Sequence, residues 1–289
     1  MGRLRKVGSR LARGVLATNG AFLLRGLRFG MGDALFRLAL AYDALDPFTK
    51  QPLVSPSTLR RLLPRYCQGR GVEVGPGNQP LCDPANTLFV DKFASHRNRQ
   101  LQVNILADAH AIPQPDNSFD FLLSSHCLEH CPDTLRTLLE WKRLVRPGGT
   151  LILILPHKDR TFDCDRPVTT LQHHLDDYQK QVGYEDLTHL EEFERCALRK
   201  MRHWWFDEPG ARKSDGTFDY QWMIAQGHVH YHVWTQNEIV DLVRHIGCEI
   251  LVVEANAEDR PDSFVVVARV CKRSDEEAMK GQAACGGKA

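Results

Sequence analysis

The stretch Gly71-Val72-Glu73-Val74-Gly75-Pro76-Gly77 constrains this chain more than any other. Gly71 to Val74 is a short apolar run of strand type carrying an acid near its end. The glycines that follow let the backbone turn tightly and approach a ligand with no Cβ in the way. Further apolar runs lie at 87–90, 119–123, 150–155, 249–253 and 263–270, each bounded by turn formers or charges. Between them are helix-compatible stretches. The plainest is 132–145, where Leu135, Leu138, Leu139, Trp141 and Leu144 approximate one stripe, and 236–246 is a second, opened by Thr235 and Glu238 as a capping box. Thr58 to Leu63 has helical spacing and is expected to stop at Pro64. Strand alternating with helix predicts an α/β, doubly wound, mostly parallel sheet whose ligands bind at the carboxyl ends of its strands.

The second run ends in Asp91, and a carboxylate there can accept from both hydroxyls of a ribose. A glycine loop and a ribose acid are also what a dinucleotide fold would offer. That fold needs a third glycine or alanine where the pyrophosphate meets the helix. Here the loop continues Asn78-Gln79-Pro80, and Pro80 removes an N–H donor and adds bulk. The loop therefore suits a nucleoside without a pyrophosphate.

The order of motifs over about 100 residues resembles the class I, Rossmann-like S-adenosylmethionine-dependent methyltransferases. The series runs Glu73 to Gly77, Asp91, Ala107-Asp108-Ala109, Pro115 to Asp120, Ser125-His126-Cys127-Leu128-Glu129-His130, and Arg146-Pro147-Gly148-Gly149. The resemblance implies a seven-stranded sheet with an antiparallel last strand, and S-adenosylmethionine as cofactor. It implies cofactor contacts from Glu73, Gly75, Pro76, Gly77, Asp91 with Lys92 beside it, Asp108 with Ala109, and Ser125 with His126. His130 would face the acceptor.

His157 follows the fifth strand in Leu155-Pro156-His157, at the ligand edge of the sheet, and is the preferred general base. Residues 158–232 interrupt the rhythm with a polar stretch rich in His, Asp, Arg and aromatic residues, expected to be an inserted cap over the acceptor. Within it Asp163 and Arg166 are candidates to orient a polyol, together with His174, His230 and His232. His228, His230 and His232 share one face of an extended segment and could ligate a metal. Hydrogen-bonding pocket histidines are preferred, so no metal is assigned. The Pro-His and Asp-x-x-Arg-x-x-Thr pattern more loosely resembles the type 11 methyltransferases found with bacterial polysaccharide and glycosyltransferase genes. That likeness implies O-methylation of a sugar hydroxyl in a glycan or glycan-lipid. A small-molecule or natural-product methyltransferase is the alternative, and a nucleoside-binding module without turnover is the alternative of another class.

The balance of 37 basic against 36 acidic residues in 289 carries no nucleic-acid footprint, so the expected partner is a small-molecule or glycan acceptor. Nine cysteines without a Cys-x-x-Cys pair suit a reducing, cytoplasmic setting. No apolar run is long enough for a membrane span. The first 32 residues carry Arg3, Arg5, Lys6, Arg10, Arg13, Arg25 and Arg28 with no acid, interleaved with apolar residues. Such an arm suits peripheral attachment to the inner face of an anionic membrane, an organelle-targeting peptide, or a helix packed on its own domain or on a second subunit. The expected division is a basic arm and linker over 1–55, a methyltransferase domain over 56–271, and a disordered tail over 272–289.

Overall fold

The computed structural model describes residues 57–96, 99–198, 210–257 and 259–271; the basic arm and the tail lie outside them. The chain divides into two compact units, Met1–Arg61 and Leu62–Ala289. Helix α1 spans Thr58–Tyr66 with Pro64 inside it, one turn further than the sequence suggests. Pro64 removes only its own N–H, and Cys67 N–H closes the end by donating to Leu63 C=O at 2.9 Å.

The second unit is built on a seven-stranded sheet. Its strands are β1 (Gly71–Val74), β2 (Thr87–Asp91), β5 (Ile105–Leu106), β6 (Phe119–Ser125), β7 (Val145–Pro156), β8 (Cys248–Glu254) and β9 (Ser263–Val270), in the order β5-β2-β1-β6-β7-β9-β8. All neighbours are parallel up to β7, and β9 runs antiparallel to both β7 and β8. This is the doubly wound sheet with a reversed last strand. The strand order reverses at β1, so its carboxyl end and that of β6 border the crevice where such sheets bind ligands. β5, with only two residues, leaves no periodic trace in the sequence. A small antiparallel pair, β3 (Ser95–His96) and β4 (Arg99–Gln100), stands apart.

Alternate residues along the strands are buried on both faces: Val72, Val74, Leu122 and Leu153 on one, Phe89, Phe121, Leu123 and Ile152 on the other. A parallel sheet needs that, and it explains continuous apolar runs in place of alternation. The first set packs with Leu135, Leu138 and Trp141 of α2 (Thr134–Leu144) and with Ile239, Leu242 and Val243 of α6 (Gln236–His245). α6 opens on the expected capping box, Thr235 with Glu238. The Gly148-Gly149 turn lets β7 bulge opposite Asp120. Gly148 has φ +87°, and a Cβ on Gly149 would stand 2.5 Å from the Asp120 carbonyl oxygen.

The stretch between β7 and α6 holds α3 (Leu171–Lys180), whose Leu171 and Leu175 pack on the core of the sheet, and α4 (Leu187–Phe193) and α5 (Tyr220–Ala225) around a second core of Leu190, Phe193, Phe218, Met223, Val229 and Tyr231. Among the described residues no helix is long and apolar enough to cross a membrane.

Candidate functional site

At the end of β1 the backbone turns through Gly75 (φ +71°) and Gly77 (φ +55°). The two glycines are needed for different reasons. A Cβ on Gly75 would lie 2.6 Å from that of Cys127, so the loop is pressed against the segment that follows β6. Around Gly77 a Cβ would meet nothing within 4 Å, which leaves that face open to a ligand. Pro76 is buried between them, and its carbonyl accepts from Gln79 N–H at 3.2 Å.

Glu73 is buried, and its carboxylate accepts from Leu81 N–H at 3.0 and 3.1 Å and from Cys82 N–H at 2.9 Å. Burial raises its pKa against those bonds. Glu73 thus anchors the return of the glycine loop. Asp91, at the end of β2, accepts from Gly77 N–H at 3.3 Å through Oδ2 and from Phe93 N–H at 2.9 Å through Oδ1. The bond from Gly77 N–H ties this carboxylate to the glycine turn.

Asp108 follows β5 and is covered by a residue that sequence reasoning missed. Tyr184, from the insertion, donates its hydroxyl to Asp108 Oδ2 at 2.7 Å, while Lys92 Nζ sits 3.3 Å from the centre of the Tyr184 ring and 3.7 Å from the same Oδ2. Burial would raise the Asp108 pKa, but Tyr184, His110 and Lys92 together hold it below the ordinary value. The Ala109 carbonyl accepts from Trp141 Nε1–H at 2.9 Å, which fixes the loop beside Asp108. Gly77, Asp91, Lys92, Asp108 and Ala109 therefore border one edge. The space at Gly77 and the acceptors at Asp91 fit a nucleoside.

Beyond β6 the chain gathers a second group. Ser125 Oγ is buried with no hydrogen-bond partner. His126 adopts φ +53°, an uncommon conformation for a residue with a Cβ, held by its N–H on the Ile154 carbonyl at 2.9 Å and its Nε2 on Ser263 Oγ at 2.7 Å. Glu129 comes next, fully buried, and neither carboxylate oxygen takes part in a hydrogen bond. Its Oε1 lies 3.5 Å from His126 Nδ1 and 3.9 Å from His130 Nε2. Burial pushes the Glu129 carboxyl up to about 7, with His230 pulling the other way. His130 meets the Val229 carbonyl through Nδ1 at 2.9 Å, which fixes that nitrogen as the donor and leaves Nε2 unprotonated toward Glu129. The His130 and His230 rings stand edge to face at 4.7 Å. Glu129, His130 and His230 are also a potential ligand set. The 3.9 Å between Glu129 and His130 is wider than the edge of about 3.3 Å in a tetrahedral shell, and the group is better arranged for proton exchange.

Four expected acceptor residues are engaged elsewhere. Arg166 is 2% exposed and its guanidinium makes four hydrogen bonds: Nε on Glu192 at 2.8 Å, Nη1 on Asp163 at 3.1 Å and the His230 carbonyl at 2.9 Å, Nη2 on the Tyr231 carbonyl at 2.8 Å. Asp163, equally buried, is divided between Arg166 and His230 Nδ1 at 2.7 Å. The pair builds the wall behind His230, and its burial takes it out of reach of a polyol. His174 is wholly buried and accepts from Trp234 Nε1–H at 2.9 Å. His232 turns from the pocket to Thr134 and Asp177. The shared face of 228, 230 and 232 does not make a single centre, because His230 and His232 join different partners.

His157 caps the turn at 158–160, where its Nδ1 accepts from Asp159 N–H at 3.3 Å, and its ring meets Phe264 edge-on at 6.1 Å. Burial, then Arg160, lowers its pKa; the other charges acting on it are Asp159, Lys158 and Glu238, a different set from those around Glu129.

Residues 82–153 match a family model described as a methyltransferase domain. The ajmaline N-methyltransferase of Rauvolfia serpentina is 42% identical over 78 residues, 27% of this chain and 26% of that protein. The demethylmenaquinone methyltransferase of Bacillus licheniformis is 30% identical over 77 residues, 27% of this chain and 33% of that one. The chain thus spans about a quarter to a third of the length of these two curated relatives. A solved Thermotoga maritima structure, described as a S-adenosylmethionine-dependent methyltransferase and possible histamine N-methyltransferase, aligns with a TM-score of 0.43 at 17% identity, over 82% of this chain and 95% of that one.

Proposed function

We propose that this chain, which carries a class I S-adenosylmethionine-dependent methyltransferase domain, transfers a methyl group to a hydroxyl of a polar, sugar-like acceptor. The observation that carries this reading is the convergence of Asp91 and the open face of Gly77 with the buried Glu129 and its imidazoles along one edge of the sheet. S-adenosylmethionine, when bound, supplies an electrophilic methyl on a good leaving group. Asp91 and the glycine loop would hold its ribose, with Asp108, Ala109 and Lys92 toward the base, and Ser125 and His126 toward the amino-acid end.

Two reacting groups held in line gain roughly 7–11 kcal/mol from orientation alone. A hydroxyl also has a proton to lose, and base assistance adds about 10²–10⁴-fold. Burial lowers the His130 pKa to about 3, so His130 Nε2, which faces Glu129, would pass that proton on to the Glu129 carboxylate, whose pKa of about 7 suits it to hold the proton. Tyr231 N–H on the Glu129 carbonyl at 2.8 Å ties the re-entering segment of the insertion to the same spot. A glycan or glycan-lipid hydroxyl is the acceptor that the resemblance of the Pro-His and Asp-x-x-Arg-x-x-Thr pattern supports, with Asp163 and Arg166 shaping the wall and not contacting it. A smaller acceptor, such as a phenol or amine, is the second reading, favoured by the small-molecule methyltransferases among the partial relatives.

The decisive experiment is binding followed by transfer. Calorimetry should show S-adenosylmethionine binding, and labelled methyl should appear on hydroxyl acceptors; a folded chain that binds no S-adenosylmethionine would exclude the reading. Asp91→Ala should weaken the cofactor at least about tenfold, 1.4 kcal/mol, through lost charge-assisted hydrogen bonds. Unchanged affinity would remove Asp91 from the ribose. His157→Ala separates two candidate bases. If His157 is the base, kcat falls by about 10²-fold or more with cofactor affinity intact; if His130 is, His157→Ala keeps kcat within a few-fold.

A further inference from the structure

We propose that His173, Asp177, His189 and His232 bind a divalent metal ion of the zinc type, in a structural centre inside the insertion. His173 and Asp177 stand one turn apart on α3, His189 lies on α4, and His232 comes from the segment that re-enters the sheet. Their ligand atoms all lie within 4.8 Å of one another. His189 Nε2 is 3.0 Å from His173 Nε2 and 3.1 Å from His232 Nε2. Asp177 Oδ2 is 3.0 Å from His232 Nε2, 3.2 Å from His173 Nε2 and 3.4 Å from His189 Nε2. A tetrahedral zinc shell with bonds of about 2.0 Å has edges of about 3.3 Å, and these five distances bracket that length.

Hydrogen bonding alone does not account for the convergence. His189 Nδ1 is 2.7 Å from Asp186 Oδ1, so Nδ1 carries a proton, and the neutral ring presents the Nε2 lone pair to the cluster. His232 Nδ1 is likewise engaged, at 2.9 Å from Thr134 Oγ1. Three imidazole nitrogens and a carboxylate oxygen crowd together with more lone pairs than protons to separate them. One shared proton relieves one contact, whereas a divalent cation relieves all of them. Far ring N–H groups donating to a carboxylate and a hydroxyl are also what orients histidine ligands on a metal. Burial would raise the Asp177 pKa, yet the three histidines hold it below the ordinary carboxylate value.

Imidazole nitrogen with a single carboxylate suits zinc better than magnesium or calcium, which prefer oxygen shells. Four protein ligands close the shell, which is the structural form of such sites. The side chains of Asp177, His189 and His232 are at most 6% exposed, and that of His173 is 46% exposed, marking the side by which an ion enters. The centre would join α3, α4 and the re-entering segment two residues from His230. It stands whether or not the neighbouring pocket transfers methyl groups.

The test uses the full chain freed of any histidine tag. Elemental analysis should find about one zinc per chain, and cobalt exchanged into the same protein should give the intense visible band of a tetrahedral ion. His173→Ala, whose exposed side chain can be removed without opening the core, should weaken zinc at least about tenfold against a chromogenic chelator. Asp177→Asn should do the same, and chelation should lower the melting temperature of the parent chain but not of a metal-free variant. A folded parent that takes up neither zinc nor cobalt overturns the proposal. So does metal that stays bound with parental affinity in both variants, since it would then sit elsewhere.

Discussion

Glu129→Gln is expected to lower turnover by about 10²-fold or more while removing a pH-dependent instability from the folded chain. Both effects come from the same burial. A carboxyl ordinarily near 4.5 that titrates at about 7 in the folded chain binds its proton more tightly there than in the unfolded chain. Its stabilising contribution is complete below about pH 4.5 and is lost as pH rises through 7, amounting to about 3 kcal/mol by pH 8. Glutamine does not ionise, so the stability of Glu129→Gln relative to the parent should grow by about 3 kcal/mol between pH 4 and pH 8. Measuring denaturant midpoints for both proteins across that range isolates the ionisation from any constant cost of the amide. Turnover of the parent should rise with pH through about 7 and level off, and that limb should flatten in the variant. A parallel pH dependence of stability in the two proteins would show that Glu129 is not held protonated. Loss of turnover with an unchanged pH limb would reduce Glu129 to packing.

Arg166→Ala should cost about 3–5 kcal/mol of folding stability, the range for breaking a buried ion pair by removing one partner. The guanidinium holds two carboxylates and two carbonyls inside the insertion, and alanine leaves all four acceptors without it. Arg166→Lys should recover little. A lysine ammonium is a point charge on a flexible stem and cannot present the planar fork that reaches Glu192 and the His230 and Tyr231 carbonyls together. The damage should concentrate in the insertion, readable as faster amide exchange across 158–198 with the strands little changed. A loss under about 1 kcal/mol would show that the network is far less important than its geometry suggests.

These two residues also mark where sequence reasoning stopped. Glu129 lies between His126 and His130 in the chain, three positions from the first and next to the second, and only its neighbours carry a signal that can be read from the sequence. Nothing local says that a glutamate in a polar run is the residue most deeply enclosed. Arg166 and Asp163 had the right chemistry for a polyol, and burial turned that chemistry inward. His173 and Asp177, four apart on a helix, carry a ligand spacing that can be read from the chain. His189 and His232 do not, since they arrive from separate elements, 16 positions beyond His173 and 55 beyond Asp177.

By itself the order of motifs determined the sheet and its ligand edge. Apolar runs, glycine turns and caps act between neighbours in the chain, so β1, β2, β6, β7 and α6 fall where their residues alone require. The glycine loop with Asp91 belongs to that class, because strand ends and the turns after them are local structure. Only the tertiary structure decided the rest: that Tyr184 covers Asp108, that Glu129 loses its solvent, and that four side chains from three elements of the insertion bring their ligand atoms within 4.8 Å of one another. The physical reason is that desolvation and convergence are properties of packing between distant segments, and a carboxylate or an imidazole acquires its role from what packing leaves around it.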